Sequence, residues 1–305
     1  MDIRQVEYVL AVIDHGGFTR AARAVHVAQP SLSQSIRRLE QELGSPLFSR
    51  AGRTVRVTEA GRAFEKPARR ALRELEAARA AVAGHGELLA GTVDVVALPT
   101  LVPDPLAGVL ARFRELHPAI RVRIHDPGTA ARLATMVGDG RAGIGLTERG
   151  PERRGLERRA LLDQELLAVL PPGERARPGR LTLEQLADRA LVTGPPGTGT
   201  RKVVEEGLAE LGLDLTVAVE TAQREAVVPL VLAGVGPAVL PAPLAEEAGA
   251  LGATVVPLVP PLVRRVDVIW SPDELPPAGV ALLDLLTSTL RADPESSPAR
   301  PARPS

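Results

Sequence analysis

The sequence predicts an α/β chain headed by a small all-α module that carries a β-hairpin. Three observations predict it. Residues 1–44 place apolar side chains at helical spacing, interrupted at Gly16-Gly17 and closed at Gly44. Residues 47–57 then read as two short strands about a basic turn. From residue 91 onward, short apolar runs alternate with amphipathic helical stretches, the pattern of a largely parallel sheet.

The bulk numbers agree with this division. The 305 residues suggest about two domains plus connectors. Hydrophobic residues make up 45% but aromatics only 2%, so the cores must be built from Ala, Val and Leu. There is no cysteine, which excludes disulfides and thiolate zinc sites. The charged, helical N-terminus lacks the apolar stretch of a signal peptide, and no apolar run reaches bilayer length. A cytoplasmic location is therefore expected. The formal net charge is zero, yet residues 1–60 and residues 61–90 each carry +2, leaving −4 on the rest. That distribution fits a mildly basic, DNA-facing end.

Asp2 can N-cap a first helix with apolar positions Ile3, Val6, Val9, Leu10 and Ile13. Phe18 and Thr19 read as a hydrophobic staple and an N-cap for a second helix carrying Ala21, Ala22 and Val25. After a turn at Val27-Ala28, Pro30 suits the first position of a third helix. In that helix Leu32, Ile36, Leu39 and Leu43 form one stripe. At about 100° per residue, Gln34, Arg37 and Gln41 fall on the opposite face, flanked by Ser31, Ser33 and Arg38. Gln and Arg can make paired hydrogen bonds to base edges, and Ser and Arg can hold phosphates. A solvated polar face is the alternative. The hairpin favours DNA: it has Arg50-Ala51-Gly52-Arg53 at its turn, a basic wing beside a helix-turn-helix. Thr58 N-caps the next helix. Residues 1–58 are thus read as a winged helix-turn-helix that binds duplex DNA.

Several runs carry a close resemblance. They are Phe18-Thr19-Arg20-Ala21-Ala22, Val27-Ala28-Gln29-Pro30-Ser31-Leu32-Ser33-Gln34, Ile36-Arg37-Arg38-Leu39-Glu40, Leu43-Gly44-Ser45-Pro46-Leu47-Phe48 and Thr58-Glu59-Ala60-Gly61. Together they resemble the LysR-type transcriptional regulators, at that family's usual spacing. Val25, where the family usually has Leu, is a small departure. The resemblance implies that Gln29, Ser31, Ser33, Gln34 and Arg37 face the major groove or its phosphates. It makes Arg50 and Arg53 wing contacts.

Residues 58–83 read as one long helix with a stripe of Phe64, Ala68, Ala71, Leu72, Leu75, Ala78 and Val82. Such a stripe suggests pairing with another chain's helix, and Pro67 predicts a kink. In the resembling family this helix makes the dimer, and a homotetramer is implied beyond it. Residues 59–90 are accordingly a linker helix and hinge.

Strands are expected at 92–97, 120–124, 143–146, 166–170, 191–193, 215–219 and 263–270. Helices are expected at 103–116, 130–137, 183–187, 200–211, 224–233 and 279–290. The resemblance implies a two-lobed, periplasmic-binding-protein-like effector domain over 91–292. Its first lobe would span about 91–163 and 267–292, its second about 164–266, with crossovers near 166–170 and 263–268. Ligands of such folds sit at the C-terminal ends of strands. Thr100, Thr129, Thr147 and Thr198 are the candidate contacts to a small, anionic effector; helix capping is the alternative role for each. Residues 293–305, rich in Pro, Ser, Ala and Arg, are expected to be disordered.

A rival reading gives the C-terminal part a nucleotide site or an enzymatic role. The loop Gly194-Pro195-Pro196-Gly197-Thr198-Gly199 approaches a phosphate-binding loop. Thr200-Arg201 stand where that motif needs Lys and then Ser or Thr, and Lys202 comes late. A second rival is an architectural DNA binder with an idle cleft. None of the five histidines has metal-ligand spacing, and no cofactor or catalytic arrangement is expected.

Overall fold

The computed structural model describes residues 1–51, 54–83, 91–148, 153–175, 179–272 and 275–290. Helix α1 (Ile3–His15) begins at a capping box, in which Asp2 Oδ1 accepts from the Gln5 backbone at 2.8 Å. It stops at Gly16, which sits in the left-handed region. Helix α2 (Phe18–Ala24) is N-capped by Gly17, so Thr19 lies inside the helix and is not its cap. Helix α3 (Gln29–Leu43) starts at Gln29 with Pro30 in its first turn and ends at Gly44. Strands β1 (Phe48–Ala51) and β2 (Thr54–Val57) pair antiparallel as the hairpin. Val9, Val12, Ala21, Ala22, Leu32, Ile36 and Leu39 close one small core over the three helices, with Leu47 and Phe48 completing it.

Helix α4 (Glu59–Ala83) runs unbroken through Pro67. Its stripe divides in two. Ala68 is buried against Val6 and Leu10 of α1, and Phe64 and Leu72 pack beside it. The first half therefore serves its own chain's core, which corrects the reading of the whole stripe as a pairing seam. Ala71, Leu75 and Ala78 remain exposed, while the side chain of Val82 lies outside the described residues.

The rest is a two-lobed α/β domain. Strand β3 (Gly91–Ala97) lies parallel to β4 (Ile120–His125) and β5 (Ile144–Glu148). Helices α5 (Ala107–Leu116) and α6 (Ala130–Gly138) connect them. Strand β6 (Glu157–Leu170) leads into the second lobe. That lobe holds β7 (Leu181–Thr182), α7 (Leu183–Ala187), β8 (Leu191–Thr193), α8 (Gly199–Ala209), β9 (Val217–Glu220), α9 (Val227–Leu232), β10 (Ala238–Pro241) and α10 (Ala242–Ala250). Strand β11 (Thr254–Trp270) returns, and α11 (Pro277–Thr289) packs Ala278, Leu282 and Leu286 into the first lobe's core.

The two crossovers are longer than the sequence suggested. β6 and β11 pair antiparallel from Glu157↔Trp270 to Leu170↔Thr254, with a break between Pro257 and Leu262. The sheet order β10-β6-β11-β5-β3-β4 is consequently mixed, not largely parallel. Alternation along β6 serves two cores at once. Leu166, Ala168 and Leu170 face α7 and α8, while Val169 faces the cluster that holds Val231, Ala245 and Ala248.

Candidate nucleic-acid interface and interlobe cleft

On α3 the apolar stripe turns Leu32, Ile36 and Leu39 inward at no more than 1% exposure. Ser31, Gln34, Arg37, Arg38 and Gln41 are exposed, and Gln29 is half-buried. Among the described residues Gln34 and Arg37 have no side-chain partner, so their donors point outward unspent. Ser33 departs from the expectation. At 6% exposure it is buried, because it sits about 100° from Leu32 and abuts the stripe. Its side chain is covered within its own chain, unlike Ser31 and Gln34. Leu43 departs the other way, at 41% exposure, since it is the last residue of α3 and lies outside the core.

The hairpin is tied to this helix. Glu40 Oε1 accepts from the backbone N–H groups of Leu47 at 2.8 Å and Phe48 at 3.1 Å. Phe48 meets Phe18 edge-on, ring centroids 5.5 Å apart. Thr58 donates from Oγ1 to the Pro46 carbonyl at 2.7 Å and accepts from the Gly61 N–H at 3.0 Å. Sequence reading missed Glu40, which lies on the flank between stripe and outward face. The backbone of Arg50 belongs to β1, opposite Val55, and not to the turn. Its side chain, and all of Arg53, lie outside the described residues.

An ionic cluster joins the module and α4 to the body. Arg69 of α4 pairs with Asp14 of α1 at 2.5 Å and with Glu65 at 3.0 Å. Arg141 of the first lobe donates to the same Glu65 oxygen at 2.8 Å. Burial works against charge on Arg69, but the hydrogen bond and attraction of Asp14 outweigh it, with Glu65 adding to them. The guanidinium is held above its ordinary pKa.

Between the lobes lies a second buried polar cluster. Its centre is Arg264 of β11, only 1% exposed on an otherwise apolar strand face with Leu262 and Val266. The guanidinium donates to Gln164 Oε1 at 2.8 Å, to Thr100 Oγ1 at 2.9 Å and to Glu148 Oε1 at 3.1 Å. Gln164 in turn donates to the carboxylate of Asp104. Burial pushes Arg264 below the usual arginine value, against the pull of Glu148 and Asp104, while Arg224 of the second lobe pushes it the same way as burial.

The four predicted threonines are not all brought together. Thr100 joins the Arg264 cluster. Thr198 stands at the N-terminus of α8 across the cleft, its hydroxyl donated back to Pro195 at 2.8 Å. Thr147 is buried at 3% within β5, on the face opposite its neighbour Glu148, because strand residues alternate. Thr129 caps α6, accepting from the Arg132 N–H at 3.2 Å, and no contact links it to the cluster among the described residues. The Gly-Thr-Gly loop is braced by Arg201, which donates to the Gly194 carbonyl at 3.0 Å and pairs with Glu220 at 2.7 Å. Among the described residues no group of three or more His, Asp or Glu could hold a metal ion, and no helix is long and apolar enough to cross a membrane.

Residues 86–291 match the family model of the LysR substrate binding domain. Residues 3–62 match that of the bacterial regulatory helix-turn-helix protein, lysR family. The chain belongs to the LysR family. It is similar to the HTH-type transcriptional regulator IlvR of Caulobacter vibrioides, at 33% identity over 94% of this chain and 98% of that one. The dual regulator OxyR of Escherichia coli is 29% identical over 89% of this LysR-family chain and 90% of its own. A full-length OxyR variant from Pseudomonas aeruginosa shares the fold, with a TM-score of 0.71 at 21% identity over 95% of both chains. CbnR complexed with its target DNA shares it too, with a TM-score of 0.65 at 22% identity over 95% of this chain and 100% of that one. A LysR-type transcriptional regulator, with a DNA-binding module and a small-molecule effector domain, is what this sequence encodes.

Proposed function

We propose that this regulator reads an operator of two half-sites through Ser31, Gln34 and Arg37, with Gln29 at the start of α3 and the Arg50–Arg53 hairpin as a wing. The observation that carries this reading is the outward face of α3. Its Gln and Arg donors are unspent, while Glu40 ties the hairpin beside them. Residues 1–58 then form the reading head, 59–90 the connector, and 91–292 the effector domain. The lobes divide near residues 163–164 and 266–267. The exposed side chains Ala71, Leu75 and Ala78 suit pairing with α4 of a second copy, which matches two half-sites. A homo-oligomer in the cytoplasm, tetrameric by family resemblance, is the assembly we infer.

The effector is a small anion held in the interlobe cleft. Arg264 and Arg224 supply positive charge there, and the first turn of α8 supplies unpaired N–H groups. Effector binding shifts the population between arrangements of the oligomer on DNA, with no covalent step. Arg201, which stands where a phosphate-binding loop needs its Ser or Thr, is engaged with Glu205, Glu220 and Gly194, and this weighs against a nucleotide site.

Nuclease footprinting on the DNA upstream of the chain's own gene tests the reading. Protection of two segments about one helical turn or a multiple apart is expected. A chain that protects no segment of that DNA or of neighbouring promoters would overturn it.

A further inference from the structure

The cleft carries its own carboxylate. Glu148 is the last residue of β5, in the first lobe, and its Oε1 accepts from Arg264 at 3.1 Å. On the other side it lies against Gly199, the first residue of α8 in the second lobe. A Cβ built on Gly199 would overlap the Glu148 carboxylate itself. One side chain thus spans both lobes, between a buried guanidinium and the start of a helix.

No side chain caps that helix start through a hydrogen bond among the described residues. In α6 and α7 the N-cap threonines, Thr129 and Thr182, accept from the backbone of the first turn. In α8 the N-cap Thr198 makes no such bond, because its hydroxyl turns back to Pro195. The Glu148 carboxylate lies in this first turn, against Gly199. Carboxylates are favoured there, since the first N–H groups of a helix lack intrahelical partners and carry partial positive charge.

Arg264 makes the exchange selective. Its other hydrogen-bond acceptors, Thr100 and Gln164, are neutral, and the nearby Asp104 is bonded to Gln164. Moving Glu148 away with nothing in its place would leave a buried guanidinium without its hydrogen-bonded counter-charge, which is strongly unfavourable. Whatever displaces Glu148 must itself bring a carboxylate or an equivalent anion. Arg224, on the second lobe, adds a further positive charge for it.

We propose that Glu148 is an internal ligand of the effector cleft, a strut between the lobes that a carboxylate-bearing effector displaces from Arg264 and from the first turn of α8. This rests on the anionic-effector reading above. It assigns Glu148 as the competitor that sets effector affinity, and Gly199 as the residue whose missing side chain makes room for it.

Thermal unfolding of the full-length protein, titrated with sodium acetate at constant ionic strength, tests it. Removing an internal competitor raises the competent fraction of the site, so the half-saturating acetate concentration should fall about tenfold in Glu148→Ala. Glu148→Gln, which keeps the size and loses the charge, should fall between the two. It also carries the test if Glu148→Ala does not fold. Equal acetate dependence in the native chain and both variants would overturn the proposal. So would stabilisation of the native chain by methylammonium that Glu148→Gln abolishes, since Glu148 would then be the contact for a cationic effector. DNA binding by the same samples reads the regulator function separately. Retained binding with no acetate difference sinks the strut alone, whereas absent binding by the native chain sinks the function.

Discussion

Arg141 of the effector domain donates to the Glu65 carboxylate of the linker helix at 2.8 Å, within one chain. Glu65 is only 6% exposed and is shared with Arg69, so the contact is shielded from solvent. A hydrogen bond between charged groups at such a site contributes about 2 kcal/mol. Glu65→Gln and Arg141→Ala should each lower stability by roughly that amount in urea denaturation of the full chain. A double-mutant cycle should return a coupling of about 1–2 kcal/mol. Additive losses would mean that the two residues do not act on each other.

Gln34→Ala and Arg37→Ala remove donors that reach nothing within the protein. Neither should lower the thermal midpoint appreciably. Each should cost about 1–3 kcal/mol of preference for the cognate site and leave salt-dependent non-specific binding in place. Competition binding against unrelated duplex gives the ratio, and unchanged ratios in both variants would refute the assigned face.

Glu40 acts differently, on the position of the hairpin. Its loss strips an acceptor from two backbone N–H groups, those of Leu47 and Phe48. Glu40→Ala should destabilise the N-terminal module by about 1–3 kcal/mol. Specific and non-specific DNA affinity should fall together if the wing holds phosphates as proposed. A selective loss of specificity in a binding titration would argue against this role.

Leu75 is 38% exposed on a helix whose earlier Phe64, Ala68 and Leu72 pack against α1. Leu75→Asp should shift the chain towards monomer in sedimentation velocity. Phe64→Asp should instead unfold the N-terminal module, because Phe64 packs on that module's own core. An unaltered oligomer in Leu75→Asp would place the pairing surface elsewhere.

Asp94 lies beneath Arg123 and His125, with Oδ1 2.7 Å from His125 Nε2 and Oδ2 2.8 Å from Arg123. Burial alone would raise its pKa, but the hydrogen bonds from His125 and Arg123 outweigh burial and hold the carboxyl below the usual range. A depressed carboxyl stabilises the fold above its unfolded value of about 3.9, and the gain disappears as pH falls through the folded value. Asp94→Asn should therefore flatten the acid limb of the stability profile below about pH 4. A profile of unchanged steepness would show that other groups control acid unfolding.

Legibility in the sequence depends on where each signal is stored. The outward set Gln34, Arg37 and Gln41 could be read because a helix repeats locally, and Leu32, Ile36 and Leu39 mark its phase. The burial of Ser33 is not legible there, because an angle near the edge of the stripe does not say how far the neighbouring helices reach. In the cleft, alternation along β5 buries Thr147 and brings its neighbour Glu148 to Arg264. Arg264 and Gln164 give no local signal, because a charged or polar residue in a strand ordinarily reads as solvent-facing. Their burial depends on partners about 100 residues away in sequence, which no local pattern encodes. The segment 238–250 escaped notice because Ala242, Ala245 and Ala248 offer little contrast in side-chain character.

Helix α11 supplies Ala278, Leu282 and Leu286 to a core begun by Val93 and Val95. A ribosome builds the chain from the other end. The reading head, whose core closes by Phe48 and Phe64, has everything it needs long before then. The first lobe must wait, with its β3 face uncovered, until α11 has been synthesised. Truncated products, such as those from a late frameshift, would then keep an intact DNA-binding end on an unfinished body. Such products are expected to bind DNA in a gel-shift assay without answering to the effector domain.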